Sequence, residues 1–128
     1  MKKLLPLLAI SLLLFACGEE ATEAPLSETI SGLFEVSEAL LIAAETIETD
    51  GFDTAAWLTE LDKIAASTDN GNRAKAALRE SIGNFGSYAV TGEAVEYVLA
   101  IESYERFDAL LGLLIEADVA ERGEDVLE

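Results

Sequence analysis

Ser27-Glu-Thr-Ile-Ser-Gly-Leu-Phe-Glu-Val-Ser-Glu-Ala-Leu-Leu-Ile-Ala-Ala-Glu-Thr-Ile-Glu-Thr-Asp-Gly51 carries the spacing on which the fold class rests. Ile30, Leu33, Phe34, Leu40, Leu41, Ala44 and Ile47 recur at three- and four-residue steps, the repeat of one broad apolar face on an α-helix. Glu28, Glu35, Glu38 and Glu45 fall on the other side. This carboxylate row reads first as a solvated face and second as a binding stripe. Ser27 is a suitable N-cap, with Glu28 well placed for the helix dipole. Thr49-Asp50-Gly51 ends the pattern, with glycine suited to a left-handed C-terminal position.

Moving outward, Phe52 and Trp57 flank a capping aspartate, Asp53, in the arrangement of a hydrophobic staple. Trp57, Leu58, Leu61, Ile64 and Ala65 then form the buried face of a second helix, with Trp57 in the core or the staple rather than at an exposed aromatic site. Ser67-Thr68-Asp69-Asn70-Gly71 is a turn by composition. A third helix, from about Asn72 to Ile82, uses Ala74, Ala77, Leu78 and Ile82 as its stripe. Gly83 and Gly86 predict a break or weak helix, at a cost of roughly 2 kcal/mol against alanine; the same small residues would also permit a close helix crossing. Tyr88-Ala89-Val90-Thr91 is an isolated strand candidate, and a lone strand is not stable.

The fourth helix runs from about Gly92 to Glu121, capped by Thr91. Its apolar set changes from Ala94, Tyr97, Val98, Ile101 and Tyr104 to Phe107, Leu110, Leu111, Leu114 and Ile115. At 100° per residue the centres of the two sets point in clearly different directions, which predicts either two faces on a straight helix or a kink between Glu105 and Asp108. Residues Leu110 to Ile115 are apolar nearly all round, the pattern of a fully buried segment or of a partner-binding patch. Residues 123–128 form an acidic tail. Four amphipathic segments with short connections make an all-α domain over residues 26–122, a small antiparallel bundle of about four helices.

The chain has 25 Asp and Glu, 8 Lys and Arg and no histidine, a formal net charge of −17. Such a surface repels nucleic-acid phosphates and anionic head groups, so nucleic acid is excluded as a partner and a basic protein fits. The other reading is that acidity only maintains solubility. Arg73, Lys75 and Arg79 cluster on the third helix, for pairing with neighbouring carboxylates first and for an anion site second.

Residues 1–17, MKKLLPLLAISLLLFAC, stand apart. Lys2 and Lys3 precede an apolar run from Leu4 to Ala16, too short for a resident membrane span, which needs about 20 residues. A basic start, a short apolar centre and a small residue before the cut describe an export signal. With Leu14 three places before Cys17, Ala16 immediately before it, and Cys17 the sole cysteine, the stretch resembles the lipobox of bacterial lipoproteins. Phe15 is bulkier than the family usually carries at its place. The resemblance covers the signal alone. It implies cleavage before Cys17, acylation of its thiol and new amino group, and anchoring to the membrane through those chains. Two or three chains make the attachment stable. Gly18, where the family uses Asp for inner-membrane retention, implies the outer membrane, facing the periplasm. Gly18 to Pro25 follows as a tether with a reach of roughly 28 Å.

Chemistry is bounded from the same residues. Without histidine, Ser-His-Asp triads, His-based acid–base catalysis and His-ligated metals are excluded. Acylation would occupy the sole thiol. Calcium loops of the EF-hand type fail around Gly51, where Trp57 takes the required glutamate position, and around Gly71, bounded by Ala66 and Ala77. Gly83-Asn84-Phe85-Gly86 matches only the bare GxxG of an RNA-binding loop. No catalytic, cofactor-binding or metal residue is assigned, and nothing identifies a small-molecule ligand. The expectation is a lipid-anchored, non-enzymatic envelope protein that binds a partner as an adaptor or inhibitor, with the contact near Leu110–Ile115 or Phe85–Tyr88. The alternative is a structural or stress-related envelope lipoprotein with no specific partner.

Overall fold

The computed structural model describes residues 25–127, with side chains described as far as Arg122. The signal, Cys17 and the tether up to Ala24 lie outside the described residues. Five helices follow in order: α1 (Leu26–Glu45), α2 (Ile47–Asp50), α3 (Thr54–Asp62), α4 (Asp69–Thr91) and α5 (Ala94–Leu127), with no strand among the described residues. The all-α bundle read from the periodicity is the observed fold.

Cross-helix contacts give the topology. Arg79 of α4 bonds Asp62 of α3 at 2.6 Å, and Lys75 donates to the Ile64 carbonyl at 2.6 Å, so α3 and α4 run antiparallel. Ser81 donates to the Ala100 carbonyl at 2.9 Å and Arg106 to Glu80 at 2.7 Å, which sets α5 antiparallel to α4. Tyr104 donates to the Ser37 carbonyl at 3.2 Å. Leu26 shares a groove with Leu113 and Ala117, and Ala44 shares one with Ala94, so α1 and α5 are antiparallel as well. The bundle is therefore up-down-up-down, closed by a short α3. Its core holds Leu33, Leu40, Leu61, Leu78, Ile82, Phe85, Phe107 and Leu114, each at most 2 % exposed. Buried hydroxyls are satisfied: besides Ser81, Thr29 donates to the Ala65 carbonyl at 2.7 Å and Ser103 to the Leu99 carbonyl at 3.0 Å, which removes the penalty of burying an unpaired polar group.

Several local expectations hold. Asp53 accepts from the Ala56 amide at 3.1 Å, and Phe52 and Trp57 stack with ring centroids 5.8 Å apart. The start of the last helix does not hold as drawn: Thr91 ends α4 and α5 begins at Ala94. The reason is that Gly92, at φ +71°, caps α4 by donating to the Tyr88 carbonyl at 2.8 Å, although Thr91 accepts from the Glu93 amide at 3.1 Å.

Others are corrected. The α1 N-cap is Pro25, not Ser27: the Pro25 carbonyl accepts from the Glu28 and Thr29 amides, so the helix starts earlier. The helix also ends earlier, at Glu45 with Thr46 as its cap, and α2 is a separate turn before Gly51. Ala65 is exposed rather than buried. The proposed turn at residues 67–71 is the start of α4, with Thr68 as its cap, accepting from Gly71 at 2.9 Å. Glycines 83 and 86 do not break α4 either. Gly86 is buried against Thr54, into whose side chain an added Cβ would run; the missing side chain lets α3 approach, and tertiary packing outweighs helix propensity. The two faces of the last helix resolve into one continuous helix. Its α4-facing stripe is Ala100, Ser103, Phe107, Leu110 and Leu114, all buried. Small residues where Ser81 and Asn84 meet it hid this stripe from a search for large apolar side chains. The helix continues to Leu127 through residues assigned to the tail.

Candidate partner-binding face

Phe34 and Leu41, which the spacing places on the broad apolar face of α1, are not in the core. Thr29, Leu33, Ser37, Leu40 and Ala44 form the buried stripe. At 100° per residue Phe34 and Leu41 lie about 90° from the centre of that stripe. The opposite flank carries Gly32, whose added Cβ would touch Ile64, so Phe34 and Leu41 flank the stripe on the α5 side. They are 49 % and 40 % exposed. From α5 the same seam receives Tyr104 and Ile101, both half-buried, and the exposed Ile115. Val98, also exposed, stands at one end of it.

The charges along this seam have one sign. Residues 26–50 contain no Lys or Arg. Of their carboxylates, Glu38 and Glu45 lie on the seam's side of α1 and Glu48 at its end, while Glu28 lines the opposite flank with Gly32, Lys63 and Ile64. Glu105 and Asp108 border it from α5. The basic residue in this part of α5, Arg106, points instead to α4, where Glu80 holds it at 2.7 Å. Burial raises the Tyr104 phenol above its ordinary value, Ser37 partly offsets this, and the Asp108 and Glu38 carboxylates raise it further. One phenol thus senses carboxylates from both helices. Tyr88 donates to Glu48 at 2.6 Å, and that bond lifts its phenol above the ordinary value. Glu45, Glu48, Tyr88, Ala94, Tyr97 and Val98 line a groove of about 390 Å³ at this end of the seam.

The other side of the bundle is different. Lys63 pairs with Glu60 at 3.0 Å, Arg79 with Asp62 at 2.6 Å and Arg106 with Glu80 at 2.7 Å. The α4–α5 groove there, about 460 Å³, is lined by Arg73, Ala76, Ala77, Glu80, Arg106, Ala109 and Leu110. Glu80 neutralises one of its cations, and Arg73 donates to Asn70 at 3.2 Å, so the anion-site reading gains little. Of the three cations on the third predicted helix, Arg79 makes the carboxylate pair expected of them. Lys75 instead satisfies a backbone carbonyl.

The two predicted contact patches do not survive as drawn. Within Leu110–Ile115, Leu110, Leu111 and Leu114 are buried, and the exposed Leu113 and Ile115 are 200° apart on the helix. Phe85 is fully buried in the core, contacting Phe52 and Tyr97 through its ring. Tyr88 alone of that pair reaches the rim of a groove. Cys17 lies outside the described residues. The signal for Phe34 and Leu41 was present in Leu40-Leu41-Ile42, three consecutive apolar residues spanning 200° of a helix, which no single core-facing stripe can bury.

Among the described residues the buried carboxylate is Asp118, held by Arg122 at 2.7 Å. No three His, Cys, Asp or Glu residues come together there as a metal cage, and no helix there is long and apolar enough to cross a membrane. No protein-family model, curated protein or solved structure matches this chain.

Proposed function

We propose that the chain is a lipid-anchored, non-enzymatic protein of the cell envelope, held at the outer membrane facing the periplasm through Cys17, and that it binds a basic protein as an adaptor or inhibitor. The observation that carries this reading is the unmixed acidity of the α1–α5 side, combined with Phe34 and Leu41 exposed along it. Acidity that served only solubility would not segregate from the basic residues. A purely structural lipoprotein would need no open apolar seam on a folded bundle. Carboxylates around such a seam steer a cationic partner and repel an anionic one, while the apolar residues shorten its escape rate once seated.

The test is affinity capture with the full chain, tagged at its C-terminus and extracted in detergent from the cell that makes it. A basic protein should be retained at low salt and released at high salt. Absence of any specific companion at either salt would return the reading to the structural alternative. In parallel, Cys17→Ser should abolish incorporation of labelled palmitate and move the protein out of the membrane fraction; retained labelling would remove the anchor from the proposal.

A further inference from the structure

We infer that the α1–α5 seam seats a basic amphipathic helix of the partner, an inference that rests on the partner-binding reading above. Phe34 and Leu41 are seven residues apart, two turns or about 10.5 Å along α1. On α5, Ile101, Asp108 and Ile115 repeat the same interval. Two antiparallel helices with side chains at seven-residue steps offer the ridges and holes into which a third helix interdigitates. An extended strand is not suited to this seam, since α-helices leave no row of free backbone donors and acceptors for it.

Charge selects among helices. Glu38 and Glu45 border the seam on α1, and Glu105 and Asp108 on α5, so a helix lying in it meets carboxylates on both flanks. The complementary helix carries an apolar stripe flanked by Lys or Arg, the pattern of e and g positions beside a and d. A second copy of this chain is a poor occupant because it brings a net charge of −17 against the same charge. At one end the seam opens into the 390 Å³ groove, where a long basic side chain can lay its stem on Val98 and Tyr97 with its head at Glu45 and Glu48.

The experiment uses the full chain in detergent and two labelled synthetic peptides of about three heptads with identical composition. One places Leu at a and d with Arg at e and g; its isomer scatters the same Leu and Arg around the helix. Fluorescence anisotropy should show the amphipathic peptide binding about tenfold or more tightly than the isomer. The double variant Phe34→Ser, Leu41→Ser should lose about tenfold in affinity, with circular dichroism reporting an unchanged helical fold. Asp62→Asn, on the far side, should leave the affinity unchanged. Equal binding of both peptides would overturn the helix inference in favour of charge alone. So would full affinity in the folded double variant, or a wild-type dimer in sedimentation that Phe34→Ser, Leu41→Ser dissolves. If neither peptide binds while a basic protein still copurifies from cells, the helix inference falls and the partner-binding reading stands; if both fail, both fall.

Discussion

On the α3–α4 side of the bundle, Arg79 meets Asp62, Lys63 meets Glu60, and Gly86 lets Thr54 press against the helix backbone. On the α1–α5 side, Glu38, Glu45 and Glu48 meet no cation from residues 26–50, which hold none, and Phe34 and Leu41 stand half in water. Both sides flank the same core and come from the same acidic composition. The difference teaches that net charge alone was the wrong quantity to interpret. Where the cations go matters more. Lys63, Arg79 and Arg106 find carboxylate partners on the side that also holds the 460 Å³ groove and exposes Val90, Leu99 and Leu113. The α1–α5 side is left with one sign of charge beside Phe34 and Leu41.

The largest test of this comparison sets two phenylalanines against each other. Phe85 is fully buried, with its ring 5.4 Å from that of Tyr97 and 6.1 Å from that of Phe52. Phe85→Ala should cost about 3–5 kcal/mol in urea unfolding, a large share of the stability of a domain this size. Phe34→Ala should cost about 0.5 kcal/mol, as surface substitutions do. Comparable losses would mean that Phe34 belongs to the core and that the open face does not exist.

A finer test uses glycines of one helix. An added Cβ at Gly83 meets nothing within 4 Å, so Gly83→Ala should stabilise by about 0.5–1 kcal/mol through helix propensity and chain entropy. At Gly86 the same methyl runs into Thr54. Gly86→Ala should therefore destabilise, by about 1 kcal/mol once the propensity gain offsets part of an overpacking cost of about 1–3 kcal/mol. Thr54→Ala should recover part of that loss in the double variant. If both alanines stabilise, α3 is not tightly seated and the contrast between a closed and an open side loses its closed half.

These glycines also show what the sequence could and could not disclose. The helical class and the amphipathic segments followed from periodicity, although the described residues hold five helices rather than four and α4 runs to Thr91 rather than Ile82. The Asp53 cap with its Phe52–Trp57 staple was legible because such signals are local. The break expected at Gly83–Ser87 is absent because the helix is supported by Thr54 across the bundle, which no window along α4 contains, while the close crossing that the same small residues permit is made by Gly86. The α5 stripe was misread for a related reason: Ala100 and Ser103 are small because α4 lies close, and small residues carry little weight in a hydrophobic pattern. The candidate face was the least legible part. An apolar residue at helical spacing looks the same whether a neighbouring helix covers it or not, so Phe34 and Leu41 were placed in the core with Leu33 and Leu40. Their segregation from the cations depends on which helices become neighbours.

The smallest expected effects lie in the charges, yet they address the comparison most directly. Asp62 and Glu80 each sit beside an arginine at 2.6 and 2.7 Å. All four side chains are about half exposed, so water screens them, and Asp62→Asn or Glu80→Gln should cost under about 1 kcal/mol. Glu38 and Glu45 have carboxylates for neighbours instead. Glu38→Gln and Glu45→Gln should relieve repulsion and raise the melting temperature slightly at low ionic strength. Added salt shortens the Debye length from about 30 Å at 0.01 M to about 8 Å at 0.15 M. It should therefore raise the melting temperature of the wild-type chain, shrink the penalty of the two α3–α4 variants, and erase the gain of the two α1 variants. Thermal melts of the five proteins across that salt range decide the matter. If neutralising Glu38 destabilises as much as neutralising Asp62, the two sides are electrostatically alike. The carboxylates along α1 would then be stabilising partners within the bundle rather than charges left open for another molecule.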